Sequence, residues 1–288
     1  MIFKKILLFL TLVAATLTAE AQNKKEQQAE LLRNLKQTSF TIATGFDAVV
    51  LAEVIDAGVG MGYQPAGETK ALNLARQTIS RRVKILNDAG CRYATISFSS
   101  YELDGFSNDI VSKKYITATC YNLEGDKIVK TQLSARDIKQ TRADNGEVRF
   151  EFTIPNVKAG SIIEYTYSVQ EYAYDADRYK ITMQGELPKL SSVIYFQDAG
   201  RDNLAHQNIY VKQGKIDIVT LQWEEYLRFR NGLNSGKYSV IQTYSNGYVD
   251  MPEPSRGYCF AAYNLPAITP AISADDIAAI VVVKGTRN

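Results

Sequence analysis

The chain has little of the chemistry that marks a metalloenzyme or a nucleic-acid-binding protein. Its 288 residues include one His, three Cys and one Trp, and 33 Lys and Arg nearly balance 31 Asp and Glu. A balanced charge argues against a nucleic-acid surface, which needs a basic excess on one face. The Cys and His residues have no zinc-ligand spacing. We therefore expect neither a cofactor nor a nucleic-acid partner.

Long hydrophobic runs are scarce, and the clearest one lies near the N-terminus. Lys4 and Lys5 precede the apolar run Ile6–Leu17, and residues 19–21 (Ala-Glu-Ala) follow it. This order is typical of a cleavable secretory signal peptide, and the run is short for a membrane span. We expect cleavage after Ala21 and a periplasmic or secreted protein that does not span a membrane. An uncleaved N-terminal anchor is the alternative.

The three cysteines cannot all pair with one another. In an oxidising compartment, Cys91, Cys120 and Cys259 leave at least one thiol unpaired. Cys120 shares a predicted strand face with Ile116 and Ala118, where a thiol packs as a small apolar group. We favour three unpaired core thiols, with one disulfide as the open alternative.

The positive signal is strict alternation of apolar and polar residues over 148–169. Such alternation, broken by a turn with Pro155 and Gly160, predicts two half-buried strands. Phe152 and Tyr165 should then lie on the buried face, with Glu151 and Glu164 on the exposed one. If the turn needs a positive φ at Gly160, Gly160→Val should harm folding, because Val resists that conformation.

Similar patterns recur along most of the chain. They predict an all-β protein, an antiparallel β-sandwich of many short strands with a short N-terminal helix. The signal peptide (1–21) is followed by a polar, poorly packed helical lead-in (22–45), a β-sandwich domain (46–268) and a divergent tail (269–288). The predicted strands are Ala48–Ile55, Thr78–Leu86, Tyr93–Tyr101, Lys113–Tyr121, Lys127–Leu133, Val148–Ile154, Ile162–Tyr172, Val193–Gln197, Asn208–Lys212, Lys215–Gln222 and Tyr238–Tyr244.

Glycine-containing segments are predicted to connect these strands. Hairpin turns are expected at 124–126, 144–146 and 213–214. The glycine-rich segment from Gly58 to Gly67 is expected to be a loop, because no helix follows it as a nucleotide-binding turn would require.

Several segments carry a family resemblance. They are FDAVVLAE (46–53), SRRVKILNDAG (80–90), YITATCYNLEGDKIVKTQL (115–133), FTIPNVKAGSIIEYTY (152–167) and AAYNLPAI (261–268). Together they resemble the N-terminal β-domain, of unknown function, of secreted bacterial transglutaminase-like proteins. The resemblance implies that a papain-like Cys-His-Asp domain follows in longer members. That pattern is lost after Ile268, so we expect a truncated member without catalytic residues.

Catalytic and metal-binding alternatives have weak support. A nucleophilic Cys needs a nearby base, and His206 is the one histidine; a Cys259–His206 pair is the only such candidate. Asp175 and Asp177 could bind calcium, but a solvated turn fits better because a calcium loop gathers more oxygen ligands.

Tyrosines suggest a recognition surface. Exposed aromatic side chains beside Asn, Asp and Arg suit glycan or peptide binding. The alternative is that Tyr simply favours strands. The candidate ligand-recognition residues are Tyr172, Tyr174, Tyr179, Tyr248 and Arg256.

The sequence therefore favours a non-catalytic, exported accessory or interaction module. The alternative is a module that binds cell-envelope glycan or peptide; another exported protein is a further possible partner. The apolar segment Ile277–Val283 is expected to be exposed or poorly ordered, because an uncharged β-prone run at an edge is an aggregation hazard. Docking as a final strand is the alternative.

Overall fold

A computed structural model describes most of the region that was expected to be β-structure. The described residues are 25–62, 72–102, 111–172, 178–198, 207–212, 216–221, 247–248, 258–272, 277 and 279–284. The predicted signal peptide lies outside them. Within them, no helix is both long and apolar enough to cross a membrane.

Strands dominate the described residues. They are β1 (Ala48–Gly62), β2 (Leu72–Ile85), β3 (Thr95–Tyr101), β4 (Thr117–Glu124), β5 (Lys127–Gln132), β6 (Lys139–Arg142), β7 (Glu147–Thr153), β8 (Ile162–Tyr172), β9 (Arg178–Thr182), β10 (Lys189–Asp198), β11 (Gln207–Lys212), β12 (Ile218–Thr220), β13 (Gly247–Tyr248), β14 (Tyr258–Leu265) and β15 (Ala279–Lys284). Residues 25–36 form a helix, α1. Short 3₁₀ helices span Thr41–Ala43, Asp88–Ala94, Lys113–Tyr115 and Ala135–Asp137.

The strands form three sheets. The largest has eight strands in the order β12-β14-β10-β1-β2-β8-β4-β5, and the others have the orders β13-β11-β15-β9 and β3-β7-β6. The all-β prediction is confirmed. One pairing corrects the expected antiparallel arrangement, because β1 and β10 run parallel at the centre of the large sheet.

Two apolar cores lie on one face of the large sheet. In the first, Val83 and Ile163 of the large sheet pack with Phe150 and Phe152 of β7, so the three-stranded sheet covers this end. In the second, Phe196 and Phe260 pack with side chains that include Ile181 of β9. The sandwich is thus built by smaller sheets packing on a large one.

Helix α1 covers the opposite face of the large sheet at the starts of β1 and β8. Leu35 of α1 is buried with Val49, Leu51 and Ile162. This packing corrects the expectation of a poorly packed lead-in. The buried Lys84 side chain adds a polar link, since its Nζ donates to Leu35 O at 2.8 Å and to Gly160 O at 2.7 Å.

The turn between β7 and β8 is held by side-chain hydrogen bonds. Gly160 has φ 84°, which meets the condition under which Gly160→Val is expected to harm folding, and Asn156 has φ 59°. Asn122 Nδ2 donates to Asn156 O at 2.8 Å, and Ser161 Oγ donates to Asn122 Oδ1 at 2.6 Å. The turn that interrupts the alternating segment 148–169 is therefore fixed by contacts with β4.

The predicted faces of β7 and β8 are confirmed in part. Phe152 is 2% exposed and Tyr165 is 7% exposed, while Glu151 and Glu164 are half-buried. In β8 the alternation fails at its start, because Ile162 and Ile163 are both buried. Ile162 packs against the α1 side and Ile163 against the three-stranded sheet, so both faces of the strand are covered.

Several other predictions need correction. Gly58, Gly60 and Gly62 lie within β1 rather than in a loop. β6, β9, β13 and β14 were not predicted. In β14 most residues are buried on both faces of the strand, so its sequence is a nearly continuous apolar run without the alternation used for prediction. The predicted strand Tyr238–Tyr244 and the turn at 213–214 lie outside the described residues, whereas the turns at Gly125 and Gly146 are present with positive φ.

The tail segment is also different from the prediction. Ala279–Lys284 forms β15, which pairs antiparallel with both β11 and β9 in the interior of the four-stranded sheet. Ala279 is fully buried. The segment is therefore a paired strand and not an exposed tail, because two strands from earlier in the chain satisfy its backbone groups.

A candidate ligand-binding pocket

An irregularity in β1 places a carboxylate inside the protein. The β1–β2 register shifts between Val50 and Ala52. An extra residue in one strand reverses which side chains face each side. After the shift, Glu53 lies opposite Arg81 of β2 and opposite Ser192 of β10.

Glu53 is fully buried and bound on both oxygens. Lys189 Nζ and Ser192 Oγ donate to Glu53 Oε1 at 2.5 Å and 2.8 Å, and Arg81 Nε donates to Glu53 Oε2 at 2.5 Å. The Lys189 side chain is 3% exposed, whereas the Arg81 side chain is 31% exposed. Glu53, Arg81, Lys189 and Ser192 are called the Glu53 cluster below.

The cluster is electrostatically coupled. Burial works against the charged form of Glu53, but Lys189 and Arg81 outweigh it and hold the pKa of Glu53 below its ordinary value. Burial lowers the pKa of Lys189; Glu53 opposes that shift and the positive charge of Arg81 adds to it. Glu53 is therefore ionised at neutral pH, and it pairs with both basic side chains.

A pocket of about 250 Å³ opens beside the cluster, between the large sheet and the three-stranded sheet. Arg81 and Lys189 line it from the large sheet, Ile96 lines it from β3, and the exposed Glu186 lies at its edge. The side chains of the cluster come from three neighbouring strands, β10, β1 and β2, and hydrogen-bond to one another. Its charged groups are therefore preorganised before any ligand enters.

Aromatic rings form another wall of the pocket. Tyr93, Tyr165 and Tyr167 line it. The Tyr165 and Tyr167 rings lie 6.2 Å apart, and Tyr167 stacks on Phe98 at 4.3 Å. Burial raises the pKa of Tyr165, while Arg81, which hydrogen-bonds its hydroxyl group, works in the other direction. Neutral hydroxyls and flat apolar faces therefore stand beside a guanidinium.

The described residues that line this pocket include none of the sequence-predicted recognition residues. Tyr172 ends β8 in the large sheet, while Tyr179 of β9 and Tyr248 of β13 lie on opposite outer strands of the four-stranded sheet. Three strand spacings separate those outer strands, roughly 14 Å. Tyr174 and Arg256 lie outside the described residues. The recognition role of this set stays a prediction.

The Glu53 cluster was missed in the sequence, although one signal was present. Glu53 interrupts the apolar run VVLAEVI, and Arg81 lies mid-strand beside Arg82. A carboxylate in a central apolar strand implies a buried cation, since a buried charge is paired. The identity of that cation could not be read, because Lys189 is 136 residues away.

The cysteines are unpaired, as predicted. Cys120 and Cys259 are buried and Cys91 is half-exposed, which corrects the expectation that all three lie in the core. Burial raises the pKa of both Cys120 and Cys259. His206, Asp175 and Asp177 lie outside the described residues, so neither the Cys259–His206 pair nor the calcium site is tested. Within the described part of the chain, no cluster of three or more His, Cys, Asp or Glu could hold a metal ion.

Comparison with protein families gives a match over more than half of the chain. The model of DUF3857, described as a domain of unknown function with a solved structure, matches residues 73–245. This chain belongs to the DUF3857 family. The matched region contains Arg81, Lys189 and the β7–β8 turn, so the pocket is built largely from the DUF3857 region. No curated protein matches the chain.

Two solved structures are similar at low identity. One is a "putative protease" from Parabacteroides distasonis ATCC 8503, with 8% identity, a TM-score of 0.48, and coverage of 82% of this chain and 40% of that one. Another is a "putative nutrient binding protein" from Legionella pneumophila subsp. pneumophila str. Philadelphia 1, with 7% identity, a TM-score of 0.26, and coverage of 82% and 67%. This DUF3857 chain thus spans less than half of the first protein's length.

Proposed function

We propose that this chain is a non-catalytic, exported interaction module whose ligand binds in the pocket beside the Glu53 cluster. The observation that carries the proposal is the preorganised pocket itself. It combines charged groups, tyrosine rings and a partly exposed arginine side chain on neighbouring strands of the large sheet. Ligand sites commonly join such apolar walls with a few fixed polar groups.

The chemistry of the described titratable groups favours binding over catalysis. A general base must be reachable and must have a pKa near the working pH. Glu53 is fully buried, and both of its oxygens accept hydrogen bonds from basic side chains. The buried thiols of Cys120 and Cys259 have raised pKa values, the reverse of an activated nucleophile.

The cellular context is part of the proposal. The signal-like N-terminus supports export to the periplasm or medium, with cleavage after Ala21. The resemblance to the domain that precedes a transglutaminase-like enzyme supports an accessory role. In that role the pocket would hold a ligand or a neighbouring protein segment for a catalytic domain carried elsewhere.

A cell-envelope glycan or peptide is the second candidate function, as the ligand of a free-standing module. The observation that favours it is the tyrosine wall, because sugar rings and peptide side chains pack on aromatic faces. Nucleic acid is not proposed, since the charge of the chain is balanced.

Two measurements test the proposal. Fractionation of a Gram-negative host that expresses the full chain, followed by intact mass, should give periplasmic or secreted protein beginning at Gln22. Cosedimentation with purified peptidoglycan and insoluble polysaccharides, beside a soluble peptide panel, should identify at least one ligand. A cytoplasmic, uncleaved product that binds none of them would contradict the proposal.

A further inference from the structure

The formal charges of the Glu53 cluster do not balance. With Arg81 and Lys189 both protonated, the two ion pairs share the single negative charge of Glu53, which leaves one excess positive charge. A buried charge is costly unless it is paired. The exposed Glu186 lies at the pocket edge, where water screens its charge more than that of the buried groups.

Arg81 is the more exposed of the two basic side chains of the cluster that line the pocket. Its Nε donates to Glu53, and its side chain is 31% exposed, against 3% for Lys189. A guanidinium has five N–H donors in a planar fork, more than the contacts to Glu53 and Tyr165 require. This geometry suits a planar oxyanion at the pocket.

Resting on the function proposed above, we propose that the pocket binds a ligand carboxylate, which pairs with Arg81 and supplies the missing negative charge. One excess cation matches the single charge of a carboxylate better than the roughly two charges of a phosphate monoester. The rest of the ligand packs on Tyr165 and Tyr167. A peptide and an acidic sugar can both present this group.

Matched probe pairs isolate the carboxylate. N-acetylglycine carries a carboxylate where N-acetylglycinamide carries a neutral amide. Glucuronate carries a carboxylate where glucose carries a neutral hydroxymethyl group. Titrations of the full chain are followed by amide chemical shifts. The account predicts that N-acetylglycine or glucuronate shifts amides of β2, β3 and residues 185–189, and that the neutral partner binds at least tenfold more weakly. Tighter binding of N-acetylglycine would assign the ligand carboxylate to a peptide, and tighter binding of glucuronate would assign it to a sugar.

Three variants test the assigned residue. Arg81→Gln should weaken carboxylate binding at least tenfold. Arg82→Gln should not, because Arg82, the next residue on β2, pairs with Glu164 of β8 at 2.6 Å on the opposite face. Glu186→Gln should strengthen it about two- to fivefold by removing a nearby negative charge. Unfolding curves confirm that each variant is folded.

The outcomes separate this inference from the proposed function. Equal binding of acid and amide, or unchanged binding by a folded Arg81→Gln protein, would overturn the carboxylate assignment. Tighter binding of inorganic phosphate than of either acid would do so as well. If only the neutral probes bind in the pocket, the carboxylate assignment fails while the proposed ligand site stands. If no probe binds there, the assignment fails, and the proposed function then depends on the cosedimentation result.

Discussion

At the scale of single residues, Glu53 is expected to be the most sensitive polar position. Glu53→Gln would leave Lys189 and Arg81 without their carboxylate. Removing one partner of a buried ion pair typically costs about 3–5 kcal/mol. Chemical denaturation should therefore show a loss of that order in the free energy of unfolding.

A matched substitution controls for the change from Glu to Gln. Glu186→Gln alters an exposed residue at the same pocket and should stay within about 0.5 kcal/mol of wild type. Replacing Glu53 and Lys189 together by Met should recover much of the loss, since apolar residues can substitute for a buried ion pair. Equal losses for Glu53→Gln and Glu186→Gln would show that the cluster does not stabilise the fold.

Lys84 gives a pH-dependent prediction. Burial lowers its pKa from 10.5 to about 8. Between those pH values the unfolded chain retains the proton that the folded protein has lost, so the free energy of unfolding rises with pH. Relative to Lys84→Met, the wild type should gain on the order of 2 kcal/mol from pH 8 to pH 10.5. Parallel pH profiles for the two proteins would refute the lowered pKa.

At the scale of elements, the faces of β7 can be tested by a pair of substitutions. Phe152→Ala removes a ring that is 2% exposed and should cost about 3–5 kcal/mol through lost burial and a cavity. Glu151→Ala removes an exposed ion pair with Lys139 and should cost about 0.5 kcal/mol or less. Similar denaturation midpoints for the two variants would reject the assigned faces.

The β7–β8 turn depends on backbone conformation at Gly160. A Cβ at this position would meet nothing within 4 Å, but φ is 84°, so strain arises from the backbone alone. Gly160→Val should lose about 1–2 kcal/mol, and Gly160→Asn should lose less because Asn tolerates positive φ. Thermal unfolding of the two variants measures both losses of stability. A larger loss for Gly160→Asn than for Gly160→Val would contradict the assigned backbone strain.

The pairing of β15 predicts the effect of a deletion. Removing residues 274–288 would expose the paired edges of both β9 and β11. We expect a thermal midpoint lower by several degrees and reduced solubility, because unpaired edges aggregate. Improved solubility with an unchanged midpoint would instead support the exposed-tail interpretation made from the sequence.

The elements also show what a sequence pattern can predict. β7 was predicted almost to its bounds, because one face packs on a core and the other meets water, which gives strict alternation. β8 loses alternation where α1 covers its second face, and β1 reverses its faces at the bulge near Val50. β15 was misjudged because its partners, β9 and β11, are distant in sequence.

At the scale of the whole molecule, the fold class followed from repeated local patterns, whereas the pocket did not. The pocket depends on Glu53, Arg81 and Lys189 meeting across three strands and on a second sheet closing over them. These contacts are long-range and include one parallel pairing. Local alternation could therefore indicate a β-sandwich without indicating where its ligand would bind.

The most direct test of the account is to locate a bound envelope ligand on the protein. Soluble peptidoglycan fragments, released by muramidase digestion, carry both sugar and peptide groups and can be titrated against the full chain while amide shifts are recorded. The account predicts that the shifts concentrate at Arg81, Ile96, Tyr165 and residues 185–189, and that Arg81→Gln weakens them. Shifts that concentrate instead around Tyr248, or that are the same in folded Arg81→Gln protein, would contradict it.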